Sequence, residues 1–434
     1  MKRLLTLGLV LSLGACAYYN GLYNANRLAD EARKAEREGR IGEARSLWSR
    51  AAVKAESVAI RYPSSRWRDD AWLLWGESLR RMDACQRATE PLQLAIDSSL
   101  DLGVVDAARL VAGECRLFMR EPGAALVLLG PVADSDRPRA AEARALRART
   151  YLAAGQWEGA LADARSAGPA GAMTAATALA RMGRGGEAAT AMDDRLRAPL
   201  VEAEWREALA ALSPVAPADA ARLALDVGAR GDVSPGVRAR LLLAEGERAL
   251  GAGQEAWDLF TAVRTVAPDS VEGRAAEAFL VMLRLNRPEA ADSIAVMLAA
   301  VRRVTAPGGR AVQIVGRGLT VLPNILTAVE NRQEPAGLFL AAELARDSLR
   351  TRGLAGGLFL EVARRADDEA LAPKAIVAAM EALPAARDSL RSVLATRYPA
   401  SVYYRALLGD MGERYRIVED SLHAVFVALR AQTP

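Results

Sequence analysis

The stretch AWLLWGESLRRMDACQRATEPLQLA, residues 71–95, decides the fold. Its first half sets Trp72, Trp75, Gly76 and Leu79 at the spacing of one helix face. Its second half does the same with Ala88, Leu92 and Ala95. The first helix reads large, large, small, large, and the second reads small, large, small. Two antiparallel helices pack closely only where small residues lie at the approach of their axes. Large residues then fill the groove shared with the next pair. One pair cannot bury its apolar face alone, so the pattern calls for stacked copies.

Copies are present along the chain. Ala148, Tyr151, Gly155, Ala160 and Ala164 form one, and Leu243, Ala244, Gly251, Ala256, Phe260 and Pro268 form another. Ala32, Ala35, Gly39, Ala44 and Trp48 give a copy nearer the start, and Gly113, Ala125 and Leu129 one directly after the quoted stretch. Weaker copies surround Ala176-Gly183-Ala188, Ala278-Val281-Ala290 and Glu343-Ala355-Phe359. This arrangement of large and small positions resembles the tetratricopeptide (TPR) repeat. The expected fold is all-α, a TPR-like helix-turn-helix solenoid. Pro- and Gly-rich joints interrupt it at residues 168–171, 213–217, 232–236 and 307–309. The apolar stretch after Pro307 loses the repeat register and reads as a divergent helix pair or a joint. Its Gly316-Arg317-Gly318 lacks the further residues of a dinucleotide or phosphate loop.

Composition agrees with helices. Apolar residues reach 51% while aromatics are only 5%, so the excess is Ala and Leu, both strong helix formers. The 57 basic residues nearly balance the 53 acidic ones, so no nucleic-acid footprint is expected. The basic residues are almost all Arg, the lysines being Lys2, Lys34, Lys54 and Lys374.

The chain opens with Lys2 and Arg3, an apolar run to Leu13, and Leu13-Gly14-Ala15-Cys16. Basic start, short apolar core and small residues before a cut are the three parts of an export signal. The run is shorter than the roughly 20 residues that span a bilayer. Cysteine directly after the small residues resembles a lipobox, in which Cys16 is lipidated and becomes the first residue of the mature chain. Ala17, rather than Asp, follows it and favours the outer membrane. Cys85 and Cys115 remain; in an oxidising compartment they form either a disulfide or two buried thiols.

Two further features sharpen the resemblance: Tyr18-Tyr19-Asn20-Gly21-Leu22-Tyr23-Asn24-Ala25 after the lipid site, and Arg61-Tyr62-Pro63-Ser64-Ser65 before the Ala71-Trp72 helix. The second recurs as Arg397-Tyr398-Pro399-Ala400-Ser401. On a lipid-anchored repeat chain these resemble the BamD-like lipoproteins of the machine that inserts β-barrels into the outer membrane. The resemblance covers the lipobox and about the first hundred residues, and the chain is longer than those proteins. It implies a scaffold on the periplasmic face of the outer membrane, with envelope proteins, the assembly machine among them, as partners. Adaptors of wall synthesis, of division or of a secretion pore share the same physics.

Catalytic chemistry is thinly represented. His423 is the sole histidine and its neighbours Glu419, Asp420 and Ser421 do not form a triad from one helix. No zinc spacing is present, and no metal or cofactor is expected. An envelope enzyme would have to use residues 305–334, where Glu330 is its candidate carboxylate. Trp67, Trp72, Trp75 and Arg80 are the candidate partner surface, with core packing the competing role for Trp72 and Trp75. The expected organisation is a signal peptide over 1–15, a lipid-anchored segment over 16–30, and a repeat array over 31–212. Middle repeats over 213–304, a divergent segment or joint over 305–335, and repeat-like helices over 336–434 complete it.

Overall fold

The computed structural model describes residues 21–304, 311–331, 334–367 and 369–432. Cys16, its signal and residues 17–20 lie outside them. Every regular element among the described residues is helical. Contacts divide the chain into two compact units, after Leu223.

In the first unit, α1 (residues 21–37) precedes α2 (Ile41–Arg61), and α3 (Arg68–Arg81) precedes α4 (Cys85–Ser98). Then come α5 (Leu102–Phe118) with α6 (Pro122–Ala133), α7 (Ala140–Ala153) with α8 (Trp157–Ser166), and α9 (Ala172–Arg181) with α10 (Gly185–Asp193). Next is α11 (Glu202–Leu212), and the division falls inside α12 (Pro217–Gly228). Each helix from α2 to α9 packs on the next, and α3, α5, α7, α9 and α11 also pack in series. That second set of contacts is what turns separate pairs into a stack.

In the second unit, α13 (Pro235–Gly251) packs on α14 (Trp257–Val266), and α15 (Val271–Leu285) on α16 (Ile294–Arg303). After α17 (Ala311–Glu330) follow α18 (Pro335–Asp347) with α19 (Arg352–Arg365), and α20 (Leu371–Ala382) with α21 (Arg387–Arg397). Last are α22 (Val402–Leu407) and α23 (Glu413–Gln432).

Two kinds of turn build these pairs. Within a pair, one residue adopts left-handed backbone: Gly39, Asp83, Arg120, Gly155, Gly183, Gly253 and Gly409. The residue after each donates its N–H to the carbonyl five positions back, as Ala84 does to Leu79 and Gln156 to Tyr151. This is the Schellman closure, which satisfies the last carbonyls of the first helix. Between pairs, Tyr62-Pro63-Ser64-Ser65, Ala267-Pro268-Asp269-Ser270 and Tyr398-Pro399-Ala400-Ser401 repeat a different one. In each, the serine N–H donates to the residue before the proline. The serine Oγ accepts from the next helix's N-terminal backbone, at Trp67, Gly273 and Tyr404 respectively. An arginine at that helix start (Arg68, Arg274 or Arg405) donates back to the carbonyl of Pro63, Asp269 or Ala400. Proline stops one helix, serine caps the next, and arginine closes the loop.

Within the pairs, the small positions are places of close approach. A Cβ added at Gly76 would lie 2.4 Å from Leu92 Cγ, and one at Gly113 would lie 2.8 Å from Leu129 Cδ2. Leu92 and Leu129 are fully buried.

Residues 311–330 depart from the expected helix pair. They form one 20-residue helix, α17, packed on α15, α16 and α18. The reason lies in the spacing of its buried residues, Ala311, Val315, Gly318, Val321, Leu322 and Ile325. That spacing holds the helical period throughout and leaves no position for a turn. By length and composition α17 is the one described helix that could cross a membrane.

The last helix is docked by two carboxylates and a ring stack, Arg430 on α23 donating to Glu343 of α18 at 2.9 Å. Glu419 on α23 accepts from Lys374 Nζ on α20 and, at 2.6 Å, from Tyr403 OH on α22. Phe426 stacks on Phe339 of α18 at 5.0 Å. Burial pushes the Glu419 carboxyl up, but the bonds from Lys374 and Tyr403 outweigh it and hold the group below its ordinary value of 4.5.

Two outcomes follow. Alanine is about 1 kcal/mol better than glycine inside a helix, yet Gly76→Ala is expected to lower the urea midpoint of unfolding because its methyl meets Leu92. Adding Leu92→Ala in the same chain should relieve that contact and show as coupling in a double-mutant cycle; a more stable Gly76→Ala protein would refute it. Glu419 has a lowered folded-state pKa, so its contribution is present above pH 4.5 and disappears as pH falls through the folded value. Protection factors of the α23 amides, exchange rates taken relative to the unprotected amide at the same pH, should therefore fall in acid in the wild type. In Glu419→Gln they should already be low at pH 7, with little further acid response.

Candidate partner-binding surface

The predicted surface residues lie at the junction of α2, α3 and α5. Trp72 and Trp75 stack on each other with ring centres 5.5 Å apart. Both are half-buried, packed against the cluster of α1, α2 and α3 and against the cluster of α3, α4 and α5. They are wedges between consecutive pairs, with only their margins open to solvent. Trp75 Nε1 is buried without a hydrogen-bond acceptor among the described residues. Trp67 precedes α3, half-buried, its ring covered by the Arg66 guanidinium at 4.6 Å. Arg80 pairs with Glu114 of α5 at 3.4 Å and Asp83 at 3.5 Å, and lies 5.5 Å over the Phe118 ring. It links consecutive pairs.

A second cluster escaped the sequence reading. Arg33 on α1 grips both oxygens of Glu77 on α3, at 2.8 and 2.9 Å, and also reaches Asp30. Its guanidinium lies 5.3 Å from the centre of the buried Trp48 ring. Trp48 Nε1 donates to Glu36, and Arg81 lies over the same ring from α3. Nothing in the local spacing joins residues 33, 48 and 77; only the stacking of α1, α2 and α3 does.

Arginine–carboxylate pairs recur further along the unit. Arg137 holds Asp106 with two bonds of 2.6 and 2.9 Å, and Asp106 is only 2% exposed. Arg147 holds Asp163 in the same way and also reaches Asp134. The bond to Asp163 raises the Arg147 pKa above its ordinary value, against the opposing effect of burial. Bidentate geometry of this kind fixes how α7 faces α8, and how the turn before α7 sits on α5.

Cys85 at the start of α4 is joined to Cys115 near the end of α5, with sulfurs 2.22 Å and Cα atoms 5.1 Å apart. The bond ties one helix pair to the next.

The candidate carboxylate Glu330 lines an open groove that Asp292 and Glu361 also line. Glu361 is held by Arg364 and Arg365. His423 is exposed on α23. Among the described residues no group of three or more His, Cys, Asp or Glu side chains could hold a metal ion.

No protein-family model matches the sequence, and no curated protein does. Solved structures do show similarity. The Cut9–Hcn1 hetero-tetramer of the APC/C is 13% identical over 85% of this chain and 87% of that one, with a TM-score of 0.29. The TPR domain of P58(IPK) is also 13% identical, over 71% of this chain and 99% of that one, with a TM-score of 0.23. Superposition this loose adds nothing to the assignment, which rests on the pairing of this chain's own helices.

The cystine closes a loop of 30 residues, and a loop of that size is expected to contribute about 3–4 kcal/mol. Cys85→Ala/Cys115→Ala should therefore lower the unfolding midpoint in denaturant, and dithiothreitol should lower that of the wild type but not of the variant. Equal midpoints with and without reductant in the wild type would show the bond to be absent or without effect.

Proposed function

We propose that this chain is a non-catalytic, lipid-anchored scaffold on the periplasmic face of the outer membrane, binding envelope proteins along its helix pairs. The observation that carries the scaffold part is the serial packing of α3, α5, α7, α9 and α11. Such stacking builds an extended surface rather than an enclosed pocket. The export part rests on the lipobox ending at Cys16. The Cys85–Cys115 bond supports it, since such bonds persist in oxidising compartments. The Tyr-Pro-x-Ser turns favour outer-membrane protein assembly as the process served. The margins of Trp67, Trp72 and Trp75 at the junction of α2, α3 and α5, with Arg66 beside Trp67, offer aromatic and arginine side chains, the composition that anchors partners.

Fractionation of wild type and Cys16→Ala, followed by capture from cross-linked membranes, tests this. Wild type should sediment with the outer membrane and bring down a β-barrel assembly component, while Cys16→Ala should be released to the soluble fraction. Capture of wall synthases or of a secretion pore would keep the scaffold and replace the process. An unchanged location for Cys16→Ala would remove the anchor.

A further inference from the structure

Where α17 breaks the pairing in the second unit, a cavity of about 430 Å³ lies between its N-terminal turns, α13, α15 and the turn after α18. Its volume is in the small-molecule range, about 300–1,000 Å³. Apolar side chains form much of its lining: Phe279, Met282, Leu283, Ile314 and Leu349. Phe279 and Leu349 are 3% and 2% exposed, so they form a floor. Two cations also line it, Arg317 from α17 and Arg350 from the turn. Neither forms an ion pair with a carboxylate among the described residues. The side-chain bond of Arg317 goes to the Gln313 carbonyl on its own helix. The wall carboxylate, Glu247, is engaged in an interaction of its own.

From this lining we propose that the cavity binds a single-chain amphiphile with an anionic head, the alkyl chain on the floor and the head on Arg317 and Arg350. The planar guanidinium suits a carboxylate or a phosphate head equally. The floor argues for an alkyl chain over a peptide. Every peptide residue brings an N–H and a C=O that must be paired when buried. The floor residues offer no polar side chain for them. Asn286 is partly used, its Oδ1 accepting from Gly353 N–H. An alkyl chain makes no such demand and gains from each methylene buried.

Calorimetric titration of the full chain with laurate, dodecyl phosphate, dodecanol and dodecyltrimethylammonium, each below its micelle concentration, separates these cases. Laurate and dodecyl phosphate should saturate one site at least tenfold more tightly than dodecanol, and the cation should not bind. The stronger of the two anions identifies the head. Arg317→Ala/Arg350→Ala should weaken laurate binding tenfold or more with an unchanged circular dichroism spectrum, and the double lysine variant should retain most of it. Should the alanine variant fail to fold, wild type cross-linked with a diazirine analogue of laurate should carry the label within residues 279–283 and 313–317. Dodecanol binding as tightly as laurate, full affinity in the folded alanine variant, label spread elsewhere, or no saturable binding would each overturn the proposal. So would displacement of laurate by a more tightly bound acidic peptide.

Discussion

The paired helices stand at the distance set by contacts such as Gly76 against Leu92 and Gly113 against Leu129. Without a Cβ on one side, a leucine of the partner helix can lie directly on backbone. Packing in protein interiors is dense enough that one added methyl is felt. The geometry of a pair in turn fixes where its outer large residues point, and these form the seam with the following pair. Trp72 and Trp75 occupy one such seam. A displacement at a small position would therefore reach the neighbouring pair through the tryptophans.

The seams are reinforced by charge. Arg33 ties α1 to α3 through both oxygens of Glu77. Arg137, in the turn between α6 and α7, ties that turn to α5 by a two-pronged bond to Asp106, while Arg147 with Asp163 locks α7 to α8 within a pair in the same way. Removing one partner of the nearly buried Asp106 would leave a charge without compensation, which is far more damaging than losing a surface pair. Such pairs also select among ways of sliding one helix along another, because both prongs fit only one offset. Ala-rich helices need that selection, since their smooth faces pack tolerably in several registers.

The all-helical, paired architecture was legible in the sequence because its determinants are local. The spacing of Trp72, Trp75, Gly76 and Leu79, and the turns at Gly39, Gly155 and Gly183, lie within one or two helix lengths. The Tyr-Pro-x-Ser turns were legible for the same reason, although the third member at Pro268 lacks the tyrosine and was seen only as the end of a repeat. Residues 311–330 read as a divergent helix pair or a joint because their apolar residues lose the repeat register, and the structure forms a single helix there. The neighbours of Gly316 and Gly318 keep the helical period, and the glycines remain inside the helix. The Arg33–Trp48–Glu77 cluster was not legible at all, since residues so distant in sequence meet only once three helices have stacked. For Trp72 and Trp75 the sequence left partner surface and core packing both open; the structure packs them between consecutive pairs, half-buried, because a large aromatic at a repeat position meets the neighbouring pair.

The bond between Cys85 and Cys115 has a mechanical side. Under the proposed anchoring, a chain held near one end and pulled by a partner elsewhere would carry tension along its length, and stacked pairs would peel apart one after another. The cystine removes one stretch from that sequence. Thirty residues, roughly 100 Å of extended chain, cannot be paid out while it holds. Force that would open α4 from α5 is carried instead by covalent bonds. The seam beside the paired tryptophans then behaves as a fixed splint, with any give confined to the pairs on either side.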